Sequence, residues 1–325
     1  MSSETIRSSG GLLLSLREDN NKRINAMVGV VAVIVLIILA LTVPNFFRMQ
    51  NIVNVLESVS SVGFYSLGLT IVLVSGGIDL SVPGVIMAAA CLGGSYMVHG
   101  GNWFVAFLMM LGLGILFGLI NGLAVAKGKM IPFIVTLSTL VLSRGIAEYL
   151  SAAQTIYGLP DEFLALDTKI GIVPIGVIVF IAVAILLMVL LTRTRLGRTF
   201  FLVGENIETA RVSGIKTDMV LFLSYLISGF LAGIGAVFLT ARLGSATATM
   251  VGDTVTNNTI ASCIIGGASL RGGQGNIVGS VLGLIFITIV DNCFNLLGIG
   301  YYVGMVFKGL IVALVIYIDV LRSKG

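Results

Sequence analysis

The sequence predicts an all-α fold: a polytopic membrane protein of about ten transmembrane helices with both termini cytoplasmic. Three observations carry this. The chain is 57% hydrophobic and 10% charged, whereas a soluble domain carries roughly 25% charged residues and so can cover itself with a water-facing surface. The apolar residues form continuous runs rather than alternating ones. That pattern excludes a β-barrel and selects helices, which satisfy their own backbone polar groups in lipid. Finally, the basic clusters fall on one side when the runs are threaded back and forth, as the excess of Lys and Arg in cytoplasmic loops requires.

Residues 1–25 are polar, with Arg7, Arg17, Lys22 and Arg23, and are expected to form a cytoplasmic tail without a cleavable leader. Residues 26–320 form the transmembrane domain, and 321–325 a second cytoplasmic tail. Spans are expected near 26–43, 52–75, 85–98, 103–126, 133–153, 173–191, 219–241, 255–265, 277–297 and 302–319. Pro132 opens the fifth, where a helix start tolerates it. The 41 glycines suit spans that pack through small faces, as in GLGILFGLINGLA from Gly112 to Ala124. The piece at 255–265 is short: at 1.5 Å per residue it reaches about 16 Å of a ~30 Å core. Counting it as a crossing puts the N-terminal tail, Lys127 with Lys129, the Arg193 loop, Arg271 and the Arg322 tail on one side. The acidic loop with Asp161, Glu162 and Asp167 then lies opposite.

The loop from Arg193 to Asp218 is a candidate docking element. Within it, GENIETARVSG reads as a short helix: Asn206 caps it, Glu208 sits in the first turn and Gly214 ends it. Gly204, Glu205 and Arg211 complete the segment. A solvated loop is the alternative reading of the same charges.

Little here supports catalysis. Cys91, Cys263 and Cys293 lie in apolar runs without metal-ligand spacing, so no metal site is expected. The one histidine, His99, has no partner in sequence, and no Ser/His/acid set or carboxylate pair is present. The net charge of +4 sits in loops and termini and speaks of topology rather than nucleic acid. The turn GGASLRGGQGN lacks the GxxxxGK[ST] pattern of a phosphate loop. It does echo another turn: VSGGIDLSVPGVI at 74–86 resembles IIGGASLRGGQGNIVG at 264–279, as a parallel internal repeat would.

Polar residues inside spans are the informative ones, because burying charge in lipid is costly. Arg144 and Glu148 stand i,i+4 and can pair along one helix face. Asp291 and Lys308 lie at matching depths, about 9 and 10 Å from the outer ends of adjacent spans, so a buried pair is allowed. Glu57 lies near an outer span end, where snorkelling reaches water. The run SATATMVGDT with Asn257 and Asn258, together with Asn292 and Asn295, offers uncharged hydrogen-bonding groups suited to a neutral polyol. Asn257, Asn258, Asp291, Asn292, Asn295 and Lys308 are therefore the candidate substrate path; interhelix hydrogen bonding is the alternative role.

The segments SGGIDLSV (75–82), PFIVTLSTLVLSRG (132–145), TRLGRTFFLVGENIETARVSGI (194–215), ARLGSA (241–246), IIGGASLRGGQGNIVGS (264–280) and NLLGI (295–299) occur in order. Together they resemble the transmembrane subunit of ribose-type ABC sugar importers. The resemblance implies a ten-span permease in the bacterial inner membrane that moves a monosaccharide and is not itself an enzyme. It implies a separate ABC ATPase subunit binding ATP and Mg, a periplasmic sugar-binding protein, a second permease copy, and no cofactor in this chain. It assigns the coupling helix to Gly204, Glu205, Asn206, Glu208, Arg211 and Gly214. The chain departs from the family pattern at Pro83, where Gly is usual, and at Val255 to Ile260, where an acidic run is common. Both acids are missing there, which fits a different sugar. An ion-coupled secondary transporter of a small polar solute, with Asp291, Glu148 or Asp79 as coupling carboxylate, is the alternative from another class.

Overall fold

A computed structural model describes residues 43–252, 254–300, 302–307, 309, 310 and 313. Both expected tails, the first expected span apart from Val43, most of the last span and Lys308 lie outside the described residues. The chain divides into two units, residues 48–288 and residues 1–47 with 289–325.

In the first unit the helices are α1 (Met49–Val74), α2 (Val82–Val98), α3 (Trp103–Ala126), α4 (Pro132–Ser151), the single turn α5 (Asp161–Leu164), α6 (Ile175–Arg193), α7 (Arg195–Glu205), α8 (Ile207–Val212), α9 (Thr217–Leu243), α10 (Thr254–Ile265) and the start of α11 (Ile277–Leu296), whose last turns belong to the second unit. A hairpin of β1 (Lys169–Ile170) and β2 (Val173–Pro174) interrupts the otherwise helical chain before α6. Among the described residues, α1, α3, α4, α6, α9 and α11 are long and apolar enough to cross a membrane, and α2 is a shorter apolar helix. The chain is thus a multi-pass helical membrane protein. The helix expected from Val85 starts earlier, at Val82, because Pro83 sits in its first turn, where a missing N–H costs nothing.

α1 and α9 are the most enclosed spans and form the centre of the unit. α9 packs along α3 through glycines, as the small-residue run suggested. A Cβ on Gly114, Gly118, Gly229 or Gly233 would collide with the facing backbone, so the two helices approach as closely as helices can. On the far side of α1, Phe64 packs edge-on to Phe180 of α6 at 5.7 Å and stacks with Phe238 of α9 at 5.8 Å.

Two turns interrupt the apolar helices in the same way. After α1, Ser75, Gly76 and Gly77 donate backbone N–H groups to Ile71, Leu73 and Val72, with Gly76 at φ +83°. After α10, Gly266, Gly267 and Ala268 donate to Ser262, Ile264 and Cys263, with Gly267 at φ +91°. Each turn then closes on a side chain two residues back: Asp79 accepts the Ser81 N–H, and Ser269 accepts the Arg271 N–H. The sequence echo is therefore a shared helix cap. The structural register pairs Gly76 with Gly267, one residue away from the match of the doubled glycines, because the left-handed position decides the cap.

In the second unit, the chain turns sharply after α11. Gly298 has φ +65°, Ile299 donates to the Phe294 carbonyl, and residues 302–307 resume a helix. Phe294 meets Phe307 across this turn at 5.9 Å.

Candidate functional site

The charged segment after α6 is two helices rather than a loop. Thr194 caps α7 by accepting the Gly197 N–H at 3.0 Å. Leu196, Phe200, Phe201 and Val203 pack inward while Arg195, Arg198 and Glu205 stay exposed. The density of charge concealed this amphipathic stripe in the sequence. α8 follows as expected: Asn206 accepts the Thr209 N–H at 2.9 Å, and Gly214 takes φ +82° beyond its end. Glu208 and Arg211 pair with each other at 3.0 Å, on a face that also exposes Val212.

The corner between α7 and α8 is seated against the rest of the protein by glycines. The Gly273 N–H donates to the Val74 carbonyl at 3.0 Å, joining the end of α1 to the α10–α11 turn. Gly204 lies over that bond, and a Cβ on it would sink into the Val74 carbonyl and the Gly273 nitrogen. Gly272 in turn packs on the backbone of Gly204 and Gly76, and Gly273 on Glu205. Both capped turns thus meet the α7–α8 corner backbone to backbone. Lys129, three residues past α3, forms an ion pair with Asp218 in the first turn of α9.

Behind the α1–α2 turn lies a buried polar chain. Asp79 is 1% exposed. One of its oxygens accepts from the Ser81 N–H and hydroxyl at 3.0 and 2.6 Å, and the other from the Ser228 hydroxyl at 2.7 Å. Asn121 donates to the Ser81 hydroxyl at 2.9 Å and accepts from Thr139 at 2.6 Å. Tyr225 donates to the Ile78 carbonyl at 3.2 Å. Helices α1, α2, α3, α4 and α9 are thereby tied to one carboxylate, which hydroxyl and amide donors satisfy as a buried charge demands. The motif GIDLSV flagged Asp79. Its partners are scattered Ser, Asn and Thr residues in apolar helices, and only folding collects them.

At the opposite ends of α1 and α9 there is a second polar group. Glu57 faces Lys169 at 3.2 Å and Arg242 at 3.5 Å. Arg242 donates to Ser61 at 2.8 Å. Asp167, from the segment before the hairpin, belongs to the same field. Burial holds its carboxyl above the usual range, against the opposing hydrogen bond from the Gly176 N–H. Glu57 is therefore paired within the protein rather than simply snorkelling.

The sequence-selected path residues are distributed. Asn257 is exposed and Asn258 buried on the first half of α10. Asp291, Asn292 and Asn295 occupy the last turns of α11 in the second unit, with Asp291 and Asn295 on one face and Asn295 exposed. Lys308 is outside the described residues. Arg144 and Glu148 do pair, at 3.5 Å, with both side chains about half exposed. Among the described residues no group of three or more His, Cys, Asp or Glu could hold a metal.

Apolar helices capped by polar turns, with an amphipathic charged pair of helices held against two of those turns, define a polytopic membrane protein with a surface element fixed to its core. The chain belongs to the family described as the permease component of the branched-chain amino acid transport system, which matches residues 51–316. It is 34% identical to the ribose import permease RbsC of Bacillus subtilis over 296 residues, 90% of this chain and 91% of the relative. It is 31% identical to the galactofuranose transporter permease YtfT of Escherichia coli, covering 89% of this chain and 88% of that one. These relatives bear out the resemblance to ribose-type ABC sugar permeases. A solved structure described as an inward-facing metal-chelate type ABC transporter shares the fold, with a TM-score of 0.53 at 17% identity over 93% of this chain and 99% of that one.

Proposed function

We propose that this chain is the membrane-spanning subunit of an ATP-driven importer of a neutral monosaccharide. The carrying observation is the α7–α8 corner, seated on both capped turns and exposing Glu208, Arg211 and Val212 away from the membrane helices. In this reading those residues dock a separate ABC ATPase, which binds the ATP and Mg. The glycine seat passes the movement of α7 and α8 to α1, α2, α10 and α11. The sugar arrives from a periplasmic binding protein at the opposite pole, near Glu57 and Arg242. A second copy of the chain completes the channel in the bacterial inner membrane.

The topology proposed with it has ten spans, cytoplasmic tails at 1–25 and 321–325, and a coupling loop at 193–218. The basic clusters support this orientation. α9 supports the separation of the two poles: 27 residues at 1.5 Å each carry the chain about 40 Å from Thr217 to Leu243, more than the ~30 Å apolar core.

The test is uptake in proteoliposomes holding this chain, its ATPase and its binding protein. Import should need ATP inside and should persist when the proton and sodium gradients are collapsed. Concentrative uptake by the chain alone under an ion gradient would replace this reading with a secondary transporter.

A further inference from the structure

We propose that a cavity between the middle of α1, the first turns of α2 and the outer end of α9 is a low-affinity way-site for the ring of a neutral monosaccharide; this rests on the importer reading. The cavity measures about 150 Å³ and is partly open. A cavity of roughly that size takes up a six-membered benzene ring, so a furanose or pyranose ring fits if its hydroxyls reach the opening or a polar wall.

The polar wall is present. Ser58, Ser61, Val62 and Tyr65 line the cavity from α1, and their spacing of i, i+3, i+4 and i+7 puts all four on one helix face. Arg242 closes the side from α9. Its guanidinium has five N–H donors. It meets Glu57 Oε2 through Nε at 3.5 Å, Ser61 Oγ through one terminal nitrogen at 2.8 Å and Ser58 Oγ through the other at 3.5 Å. Those contacts fix the fork in place and leave two donors for ligand hydroxyls.

Charge selects the ligand class. Arg242 is opposed by Glu57, and Lys169 is spent on the same carboxylate at 3.2 Å. The segment before the hairpin adds Asp167 to the same field, so two cations face two carboxylates, and an anionic sugar phosphate would need a cation in excess. The remaining wall is apolar: Ile86 and Leu239, with Met250 and Val251 from the segment before α10. That wall suits the C–H faces of a sugar and adds no hydrogen bonds. Few polar contacts mean weak binding, which passage demands, since a transported solute must leave as readily as it enters.

The test uses the full chain with its ATPase and binding protein, and D-ribose, D-galactose and D-ribose 5-phosphate as probes. Val62→Phe fills the cavity while leaving the Arg242, Glu57 and coupling-corner residues themselves unchanged. It should cut uptake of neutral sugar at least tenfold while the complex is still recovered intact. Val62→Ala should raise D-galactose uptake relative to D-ribose. If Val62→Phe does not assemble, Ser58→Cys serves instead, because Cys91, Cys263 and Cys293 are all buried. D-Ribose or D-galactose should slow its reaction with a small thiol reagent, and D-ribose 5-phosphate should not. Wild-type import of neutral sugar that survives Val62→Phe overturns the cavity assignment alone, as does equal protection of Ser58→Cys by all three probes. A wild-type complex that hydrolyses ATP but imports no neutral sugar removes the importer reading and the cavity with it.

Discussion

Asp79 and Gly204 are the residues on which most of the interior depends, one through hydrogen bonds and one through the lack of a side chain. Asp79→Ala would strip the acceptor from three donors, those of Ser81 and the Ser228 hydroxyl. An unsatisfied buried polar group costs about 1–3 kcal/mol, so this variant should be poorly recovered from membranes. Asp79→Asn keeps the shape and one acceptor oxygen and should be recovered with its melting temperature lowered. Its uptake should remain ATP-driven. A fully stable Asp79→Asn protein without any uptake would instead mark Asp79 as a coupling carboxylate. Gly204→Ala acts differently, because the added Cβ meets backbone that cannot rotate away. Overpacking of this kind costs about 1–3 kcal/mol, and thermal unfolding of the purified chain should show it. Gly112→Ala on α3 is the control: nothing lies within 4 Å of its Cβ position, and a helical Gly→Ala exchange there should be neutral or stabilising.

At the scale of elements, legibility followed how local the cause is. α8 could be read because Asn206, Glu208 and Gly214 are all local signals, and each takes its expected place. α7 could not, because its stripe of Leu196, Phe200 and Val203 is thin among charges and is secured by what it packs on. The doubled glycines pointed to turns at both sites. Their meeting at Gly204 was illegible, since residues 76, 204 and 272 share no local pattern. Arg242 was likewise missed: a charge at the end of an apolar run looks like a membrane border, and its role depends on Glu57 far earlier in the chain. The docking role of α8 is testable on its own. Exchanging Glu208 and Arg211 keeps their mutual pair but inverts the field they present. Single exposed charge contacts are worth roughly 0–1 kcal/mol, so the exchange should reduce complex recovery or uncouple hydrolysis without unfolding the chain. Gly214→Val should be more damaging, because a side chain at φ +82° is strained. ATPase rate, complex recovery and uptake, measured together, separate the cases. If all three are unchanged in both variants, α8 is a solvated helix without a docking role.

For the molecule as a whole, the number of crossings turns on α10. Its 12 residues reach about 18 Å, short of a ~30 Å apolar core. Yet α10 need not cross alone. The cap after it repeats the cap after α1, and both turns meet the same α7–α8 corner. Val74 and Gly273 share a hydrogen bond, so the α10–α11 turn must lie on the side of the charged loop. Arg242, by contrast, lies at the far end of α9. Between Leu243 and Gly266 the chain therefore has to return across most of the membrane. The segment before α10 makes up the shortfall: Ala246 pairs with Ile156, and Met250 and Val251 line the outer cavity. With that return counted as a crossing, the proposed ten-span topology puts both tails in the cytoplasm. Single cysteines placed at Asn20, Lys129, Lys216 and Ser323 should then react with an impermeant thiol reagent only from the cytoplasmic side, and one at Asp161 only from outside. Labelling of the Asn20 and Ser323 positions from opposite faces would mean an odd number of crossings and would end the ten-span arrangement. Agreement among Lys129, Lys216 and Ser323 would leave the chain with one pole for the ATPase and the other for the arriving sugar.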